Sequence, residues 1–145
     1  MGDAGRFCTF SLAGLLFGIE VRAVQEVLRS QAMTRVPLAP AVVSGLINLR
    51  GQIVTAIDLR RRLGLEPRPD GAAPMNVVVR TEDGAVSLLV DEIGDVIETS
   101  GEALGTLPDT LTGEARTLTR GVYKLPDRLL LALDVERALA LPAAR

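Results

Sequence analysis

The chain has 145 residues, 48% hydrophobic and 23% charged, which is typical of one folded domain with a core or of two very small barrels sharing one. Its net charge of −2 argues against nucleic acid as the main partner, because backbone binding needs a basic surface. The sequence has no histidine and one cysteine, Cys8, which excludes Ser-His or Cys-His catalysis, a tetrahedral zinc site and an intrachain disulfide.

Membrane, secreted and enzymatic classes are also disfavoured. No apolar stretch approaches the roughly 20 residues of a membrane helix, and residues 1–6 lack the apolar core of a signal peptide, so a cytoplasmic location is predicted. No phosphate-binding glycine loop is present. The acidic residues Asp58, Asp91 and Asp134 lie at the ends of predicted elements, where capping explains them. We expect no cofactor and no metal, and we interpret Cys8 as a small buried residue of a strand.

The chain opens with a predicted hairpin and a short amphipathic segment. The hairpin covers residues 7–21 and turns at Ala13-Gly14. Residues 21–28 carry apolar side chains at helical spacing, which predicts a short helix, with a bulged strand as the alternative.

A second hairpin follows after two minor elements. A short strand is predicted over 34–38 and a helical turn over 40–44. The hairpin covers 45–59, and Asp58 with the basic residues after it predicts the start of a short helix. Arg50 lies at the turn of this apolar hairpin as a permanent cation with five donors. It pairs either with a carboxylate inside the fold or with one on a partner.

The segment 66–74 separates the two halves of the chain, because it holds three prolines and a glycine in nine residues. The remaining elements repeat the character of the first half. They are a hairpin over 76–91, an amphipathic segment over 92–98, an extended loop over 99–117, a hairpin over 120–134 and a short helix over 135–141.

The two halves resemble each other position by position. A shift of 76 positions superimposes residues 45–63 on 121–139 without a gap, and a shift of 69 superimposes 21–28 on 90–97. Chance could give one such match in an apolar sequence, but two in the same order indicate an internal repeat.

The repeat divides the chain into two similar β-rich units, over residues 7–65 and 75–141, joined by the loop 66–74. Strands this short close most economically into small barrels, which removes exposed edges. We therefore expect a mainly β fold of paired small barrels that form a single domain over residues 1–145.

The turn at Arg50-Gly51 differs between the two copies, because the second copy has Pro126-Asp127 there. A turn needed only for folding would accept either sequence, so the cation makes the first copy the better candidate for recognition. Glu26, on the polar side of the first amphipathic segment, is the expected internal partner of Arg50. A surface ion pair stabilises by roughly 0–1 kcal/mol. Whether Arg50 is mainly structural or mainly a recognition residue stays open.

Several motifs occur in the order found in one known family. The segment Asn48-Leu49-Arg50-Gly51 is followed by an apolar strand and by Ile57-Asp58-Leu59-Arg60. Residues 17–27 and 89–96 provide two further matching stretches. Together these segments resemble the CheW-like domain, the bacterial chemotaxis coupling protein and the matching regulatory domain of its histidine kinase. The sequence departs from the family pattern at Thr55, where a proline is common.

The resemblance implies two small five-stranded SH3-like β-barrels packed side by side, with short helices. It implies a non-enzymatic adaptor in chemotaxis-type two-component signalling, which couples chemoreceptors to a CheA-type histidine kinase. The expected partners are the regulatory domain of the kinase and the cytoplasmic tip of methyl-accepting receptors. Membrane receptor arrays would then recruit the protein without its own insertion into the membrane.

Residue by residue, the resemblance implies two binding surfaces. The receptor-binding surface is expected to be an apolar groove with the Glu26–Arg50 pair at its edge, where Gly45 would allow close backbone approach. Its candidate residues are Val24, Glu26, Val27, Gly45, Arg50 and Val96. The kinase-binding surface is expected on exposed strand residues of the first barrel, with candidates Thr34, Val36, Leu38, Gln52 and Val54.

Two alternatives remain open from the sequence. The first is a divergent CheW-like protein of a motility or developmental pathway that keeps only one binding surface. The second is a small-ligand-binding protein built on paired barrels. The absence of histidine, of a metal-ligand set and of a phosphate loop disfavours this second alternative.

Overall fold

The computed structural model describes residues 5–99 and 104–140. Within these residues the chain forms ten strands, three short helices and a 3₁₀ turn over Val21–Ala23. The strands are β1 Arg6–Leu12, β2 Leu15–Glu20, β3 Val24–Leu28, β4 Val43–Leu49, β5 Gln52–Asp58, β6 Met75–Thr81, β7 Gly84–Val90, β8 Glu92–Glu98, β9 Thr119–Lys124 and β10 Leu129–Leu133. The helices are α1 Leu59–Arg62, α2 Gly113–Thr117 and α3 Val135–Leu139.

The strands form two five-stranded sheets with the same internal pairing pattern. The first sheet runs β8-β1-β2-β10-β9, and the second runs β3-β6-β7-β5-β4. Each sheet is antiparallel except for one parallel pair, which is β2 with β10 in the first sheet and β5 with β7 in the second. The predicted mainly β, SH3-like fold with short helices is confirmed.

Each sheet rolls around a small apolar core of its own. In the second sheet, all five strands contribute to one cluster, which consists of Leu28, Ile47, Leu49, Val54, Val78 and Ala85. The equivalent cluster of the first sheet contains Phe7, Leu16, Ile97, Tyr123, Leu130 and Ala132. Since the outermost strands of a sheet reach the same cluster, the sheets are curled rather than flat. A larger shared core joins the two sheets and includes Phe10, Phe17, Val77, Leu88 and Leu131.

A strand that contributes side chains both to the core of its own sheet and to the shared core is buried on both faces. In β10, Leu130 and Ala132 contact the core of the first sheet, whereas Leu131 and Leu133 contact the shared core. Alternate residues of a strand face opposite sides, so burial on both faces produces an uninterrupted apolar run. This explains why residues 129–133 are apolar throughout.

The two sheets do not coincide with the predicted units 7–65 and 75–141. The hairpin β1–β2 opens the first unit, yet it pairs with β8 and β10 of the second. In return, the hairpin β6–β7 pairs with β3 and β5 of the first unit. The two repeats therefore exchange their N-terminal hairpins. Sequence similarity identifies equivalent strands, but it does not specify with which copy each strand pairs.

The amphipathic segments between the hairpins are strands, and their predicted helical form is wrong. Residues 21–28 form the 3₁₀ turn and β3, whose pairing with β6 shifts register between Val24 and Glu26, so the alternative of a bulged strand is correct. Residues 92–98 form β8, whose pairing with β1 is irregular in the same way. A bulge breaks the two-residue period of a strand, and the remaining apolar spacing then imitates that of a helix.

The predicted hairpins are all present, as β1–β2, β4–β5, β6–β7 and β9–β10. The helical turn predicted over 40–44 is closed by a 2.9 Å hydrogen bond from the N–H of Val43 to the carbonyl of Pro40. Asp58 and Asp134 cap α1 and α3, because their carboxylates accept hydrogen bonds from the first backbone N–H groups of those helices.

The predicted strand over 34–38 is reduced to one bridge. Thr34 exchanges two 2.8 Å backbone hydrogen bonds with Leu46 of β4. Beyond this bridge the strand cannot continue, because Pro37 has no N–H and Leu38 has a left-handed backbone with φ of +66°. The segment therefore crosses the edge of β4 once and then runs over the surface.

The C-terminal part of the chain differs slightly from its prediction. The predicted loop 99–117 contains α2, because Ala115 packs into the shared core and gives this short turn of helix a buried face. Residues 100–103 of that loop lie outside the described residues. The final helix is present as α3, whereas Leu141, its predicted end, also lies outside them.

Candidate protein-binding surface

Arg50 and Gly51 form the two-residue turn between β4 and β5, both with left-handed backbone at φ of +52° and +87°. This turn type fits the twist of paired strands. The side-chain oxygen of Asn48 accepts a 2.8 Å hydrogen bond from the Gly51 N–H. In the second copy Pro126 and Asp127 occupy the two equivalent positions, and the Leu125 N–H donates a 2.8 Å hydrogen bond to the carbonyl of Arg128. Both sequences thus close a hairpin at the equivalent place, with Arg50 in the first copy only.

The guanidinium of Arg50 donates a hydrogen bond from Nη2 to Oε2 of Glu26, the partner expected from the sequence. Glu26 lies in β3 and Arg50 beside β4, and these strands are at opposite ends of the second sheet. The ion pair thus bridges the two ends of the curled sheet. The side chain of Arg50 is 68% exposed and that of Glu26 22%, so the guanidinium keeps donors available to a partner.

The apolar candidates for receptor binding are divided between the two sheets. Val27 lies in β3 and Val96 in β8, and both side chains are exposed. β3 and β8 are the equivalent outermost strands of their sheets. Val24, also in β3, is half-buried and packs against the shared core. The structure therefore brings Glu26 and Arg50 together on the second sheet. Val27 follows Glu26 in the same strand, whereas Val96 lies on the first sheet.

Gly45 allows a close approach within the chain itself. A Cβ atom on Gly45 would lie 2.6 Å from the carbonyl oxygen of Thr34, which bridges to β4. The second copy repeats the arrangement, because a Cβ on Gly121 in β9 would lie 2.8 Å from the carbonyl oxygen of Gly105. In both sheets a crossing segment thus covers the edge strand. A segment of the same chain therefore explains why each of these positions is a glycine, and a receptor backbone is not needed to explain it.

The kinase-surface candidates separate into exposed and buried residues. The exposed ones are Thr34, Val36, Leu38 and Gln52. Leu38 is 96% exposed. Val54 is only 1% exposed and lies in the core of the second sheet, so its assignment to a surface is wrong. Its neighbour Ile53 is 60% exposed instead, because adjacent residues of a strand face opposite sides.

A largely buried ionic network lies where the two sheets meet, and the sequence did not predict it. Arg60 of α1 contacts both carboxylate oxygens of Asp91, at 2.9 Å from Nε and 2.6 Å from Nη2. Asp91 also accepts a 2.8 Å hydrogen bond from the backbone N–H of Ala13, and Arg68 approaches it to 3.3 Å. The prediction that capping explains Asp91 is therefore wrong, because its carboxylate binds Arg60 and the Ala13 N–H. Its main partner is 31 positions away, and no local pattern signals such a contact.

The network has defined electrostatics and borders a cleft of about 550 Å³ that Arg128 also lines. Burial acts to raise the pKa of Asp91. The hydrogen bonds from Arg60 and from the Ala13 N–H act in the opposite direction, as do the charges of Arg60 and Arg68. Together they outweigh burial and hold the pKa of Asp91 below its ordinary value. The same hydrogen bond raises the pKa of Arg60. Asp91 is therefore ionised and Arg60 protonated at neutral pH.

Cys8 in β1 is half-buried, and burial raises the pKa of its thiol despite the opposing charge of Arg6, so the thiol stays protonated.

Among residues 5–99 and 104–140, no group of three or more His, Cys, Asp and Glu side chains is placed to hold a metal ion. In the same part of the chain, no helix is both long enough and apolar enough to cross a membrane.

Comparison with known proteins places this structure in a family. The model of the CheW-like domain matches residues 6–142. The chain belongs to the CheW-like domain family. The chemotaxis protein CheW of Treponema pallidum (strain Nichols) is 31% identical over 133 residues, which cover 89% of this chain and 78% of that protein. The chemotaxis protein CheW of Helicobacter pylori (strain ATCC 700392 / 26695) is 30% identical over 134 residues, covering 92% and 81%.

A solved structure matches this CheW-like chain over almost its full length. The scaffolding protein TtCheW from Thermoanaerobacter tengcongensis superimposes with a TM-score of 0.84 at 25% identity, covering 97% of both chains. The resemblance inferred from the motifs is thus confirmed. As a member of a family of chemotaxis scaffolds, the CheW-like chain is a non-enzymatic adaptor.

Proposed function

We propose that this CheW-like protein couples chemoreceptors to a CheA-type histidine kinase through two separate surfaces. Besides family membership, one observation carries the proposal. The largely exposed guanidinium of Arg50 is oriented by Glu26 at a tight turn, and Val27, the next residue of β3, has an exposed side chain. An exposed cation held in a fixed orientation, together with exposed apolar side chains, suits recognition of an amphipathic helix with an acidic edge.

The receptor-binding surface would consist of Glu26, Val27 and Arg50 on the second sheet and Val96 on the first. The two valines would contact the apolar face of a receptor helix, and Arg50 would pair with a carboxylate at its edge. Because Glu26 already orients the guanidinium, less side-chain entropy is lost on binding. Val24 would contribute indirectly, by packing β3 against the shared core.

The kinase-binding surface would lie on the crossing segment and on β5. It would consist of Thr34, Val36, Leu38 and Gln52, with Ile53 in the place first given to Val54. These side chains are apolar or uncharged, as is usual at the centre of a protein interface. The partner would be the regulatory domain of the kinase, docked barrel to barrel.

The variant Arg50→Glu tests the receptor surface. Its affinity for a soluble fragment of a chemoreceptor signalling tip, measured by isothermal titration calorimetry, should fall about tenfold or more, which corresponds to at least about 1.4 kcal/mol. Its affinity for the kinase regulatory domain should change by less than about twofold, because a contact outside an interface adds little. Unchanged binding to both partners would contradict the assignment of Arg50.

A charge-swapped control separates recognition from structure at this pair. The double variant Glu26→Arg/Arg50→Glu restores an ion pair but presents the opposite charge to the receptor. If Arg50 recognises a receptor carboxylate, the double variant binds as poorly as the single one. If the double variant regains wild-type affinity, the role of Arg50 is structural.

The variant Ile53→Asp tests the kinase surface, and its expected effects on the two partners are the reverse of those of Arg50→Glu. It should weaken binding to the kinase regulatory domain and leave binding to the receptor fragment intact, since the side chain of Ile53 is 60% exposed and its substitution removes no core packing. If wild-type protein binds neither partner, the adaptor proposal fails. If it binds only one of them, the protein is the divergent single-surface adaptor instead.

A further inference from the structure

The proposed receptor surface draws on both sheets, so its shape depends on how the sheets are held together. Val27 lies on β3 of the second sheet, and Val96 lies on β8 of the first. A helix that contacts both valines needs the two strands at a fixed separation. The residues that fix β8 against the second sheet are therefore part of the binding function, even without contact to the receptor.

Asp91 occupies the passage of the chain into β8. It is the one residue between β7, in the second sheet, and β8, in the first. Its backbone N–H donates a 3.0 Å hydrogen bond to the carbonyl of Ser11 in β1. A displacement at Asp91 is thus passed directly to the first residue of β8.

The carboxylate of Asp91 ties the two sheets together. It accepts hydrogen bonds from Arg60, which lies in the helix that directly follows β5 of the second sheet. It also accepts a hydrogen bond from the backbone N–H of Ala13, which lies in the turn of the β1–β2 hairpin of the first sheet. Bidentate contacts between a guanidinium and a carboxylate fix both distance and orientation, and these two side chains are largely buried.

The equivalent passage of the internal repeat does not contain this network. The equivalent passage, from β2 to β3, is made by Val21–Ala23, and Arg22 stands where the shift of 69 positions places Asp91. The side chain of Arg22 is exposed and approaches Glu20 only to 3.6 Å. Arg80 of β6 holds that passage instead, because its Nη1 donates to the carbonyl of Arg22 at 3.0 Å and to that of Val24 at 3.1 Å. The two passages are therefore held by different contacts, and the passage that leads to Val96 is held by the carboxylate of Asp91.

We propose that Asp91 is a positioning residue of the receptor-binding surface. Through Arg60 and Ala13 it sets the distance between β8 and β3, and so between Val96 and Val27. This inference rests on the proposed receptor surface. The kinase surface lies on the second sheet alone and does not depend on Asp91.

The variant Asp91→Asn tests the proposal with two measurements. It keeps an acceptor for the Ala13 N–H but removes the charge that Arg60 contacts. Affinity for the receptor fragment should fall about fivefold to tenfold, with kinase-domain affinity within about twofold of wild type. The second measurement is the distance between spin labels at Gln25→Cys on β3 and Asp95→Cys on β8, in a Cys8→Ala background. Its distribution should broaden or shift in Asp91→Asn.

A matched control excludes a general loss of stability. Asp134→Ala removes the carboxylate that caps α3, away from the network, and should lower stability without a change in label distance or receptor affinity. The same receptor-specific loss in Asp134→Ala would overturn the proposal. Unchanged label distances and unchanged affinity in Asp91→Asn would also overturn it.

The remaining outcomes are decided by a second variant and by the label distance. If Asp91→Asn does not fold, Arg60→Lys replaces it, because this variant keeps the charge but loses the bidentate contact. If wild-type protein does not bind the receptor fragment, the proposed function fails. The label distance then decides by itself whether Asp91 positions β8 against β3.

Discussion

At the scale of single residues, three non-glycine positions among residues 5–99 and 104–140 have a left-handed backbone: Ala13, Leu38 and Arg50. Ala13 and Arg50 are each followed by a glycine in a two-residue hairpin turn, where the pairing of the flanking strands holds the conformation. Leu38 has no such support, because a 3.4 Å hydrogen bond between Ala39 and Val36 is what closes its turn. Leu38 is also almost fully exposed, so its backbone strain is not offset by burial.

The variant Leu38→Asn should stabilise the protein. Asparagine tolerates the left-handed conformation, and the exposed leucine loses no packing, so the free energy of unfolding should rise by about 1 kcal/mol. Urea denaturation followed by circular dichroism measures the change. The matched control is Val36→Asn, which removes a neighbouring apolar side chain without a strained backbone and should bring no gain. A destabilised Leu38→Asn would show that Leu38 packs against other residues in solution.

The ionised form of Asp91 is stabilised by folding, so its folded-state pKa lies below its unfolded value. Its contribution to stability is therefore fully present above the unfolded pKa of about 3.9 and is lost as the pH falls through the folded pKa. The difference in free energy of unfolding between wild type and Asp91→Asn should be constant from about pH 7 to 5 and shrink below about pH 4. Asp127→Asn, at an exposed turn, controls for the loss of one negative charge. A difference that does not shrink in acid would contradict the assignment.

At the scale of elements, α1 shows how a four-residue helix is held by its neighbours. A helix this short is not stable by itself. Asp58 caps its start, and Arg62 donates from Nε to the carbonyl of Ala138 at 2.7 Å and from Nη2 to that of Arg137 at 3.0 Å. Arg62 also pairs with Glu114 of α2 at 2.9 Å. Because α1 follows the second sheet and α3 the first, these contacts add a second tie between the sheets.

The variant Arg62→Ala should lower the free energy of unfolding by about 2–3 kcal/mol, because hydrogen bonds from a charged donor are lost and the carbonyl of Ala138 loses the partner that Arg62 provides. Arg61→Ala on the same helix is the matched control. Arg61 is exposed and lies 3.7 Å from Asp58, so its loss should change stability by less than about 0.5 kcal/mol. Chemical denaturation of both variants gives the comparison. Equal effects of the two substitutions would contradict a special role for Arg62.

At the scale of the whole molecule, the exchange of hairpins makes each sheet depend on both halves of the chain. The first sheet takes β1 and β2 from before the loop 66–74 and its other three strands from after it. The second sheet takes β3, β4 and β5 from before the loop and β6 and β7 from after it. Neither half therefore contains a complete sheet.

Separate fragments over residues 1–70 and 71–145 should consequently not fold alone. Each fragment should show no cooperative thermal transition, since its strands leave the cores of both sheets incomplete. An equimolar mixture, or the two fragments expressed together, should regain the circular dichroism spectrum and the single transition of the intact chain. Cooperative unfolding of either fragment by itself would contradict the exchange.

The sequence by itself determined the features that depend on neighbouring residues. The four hairpins, the caps at Asp58 and Asp134 and the internal repeat are local patterns, and local patterns express the conformational preferences of short segments. The polar side of the first amphipathic segment also pointed to Glu26 as the partner of Arg50, and the two side chains do meet.

Only the tertiary structure decided which segments pair across long distances. The exchange of hairpins, the burial of Val54 instead of Ile53 and the contact of Arg60 with Asp91 all depend on which surfaces the chain buries together. The bulged strands were also ambiguous, because their apolar spacing fits a helix until a partner strand is present. Burial is a property of the assembled sheets, and a local sequence pattern does not record which of two faces will be covered.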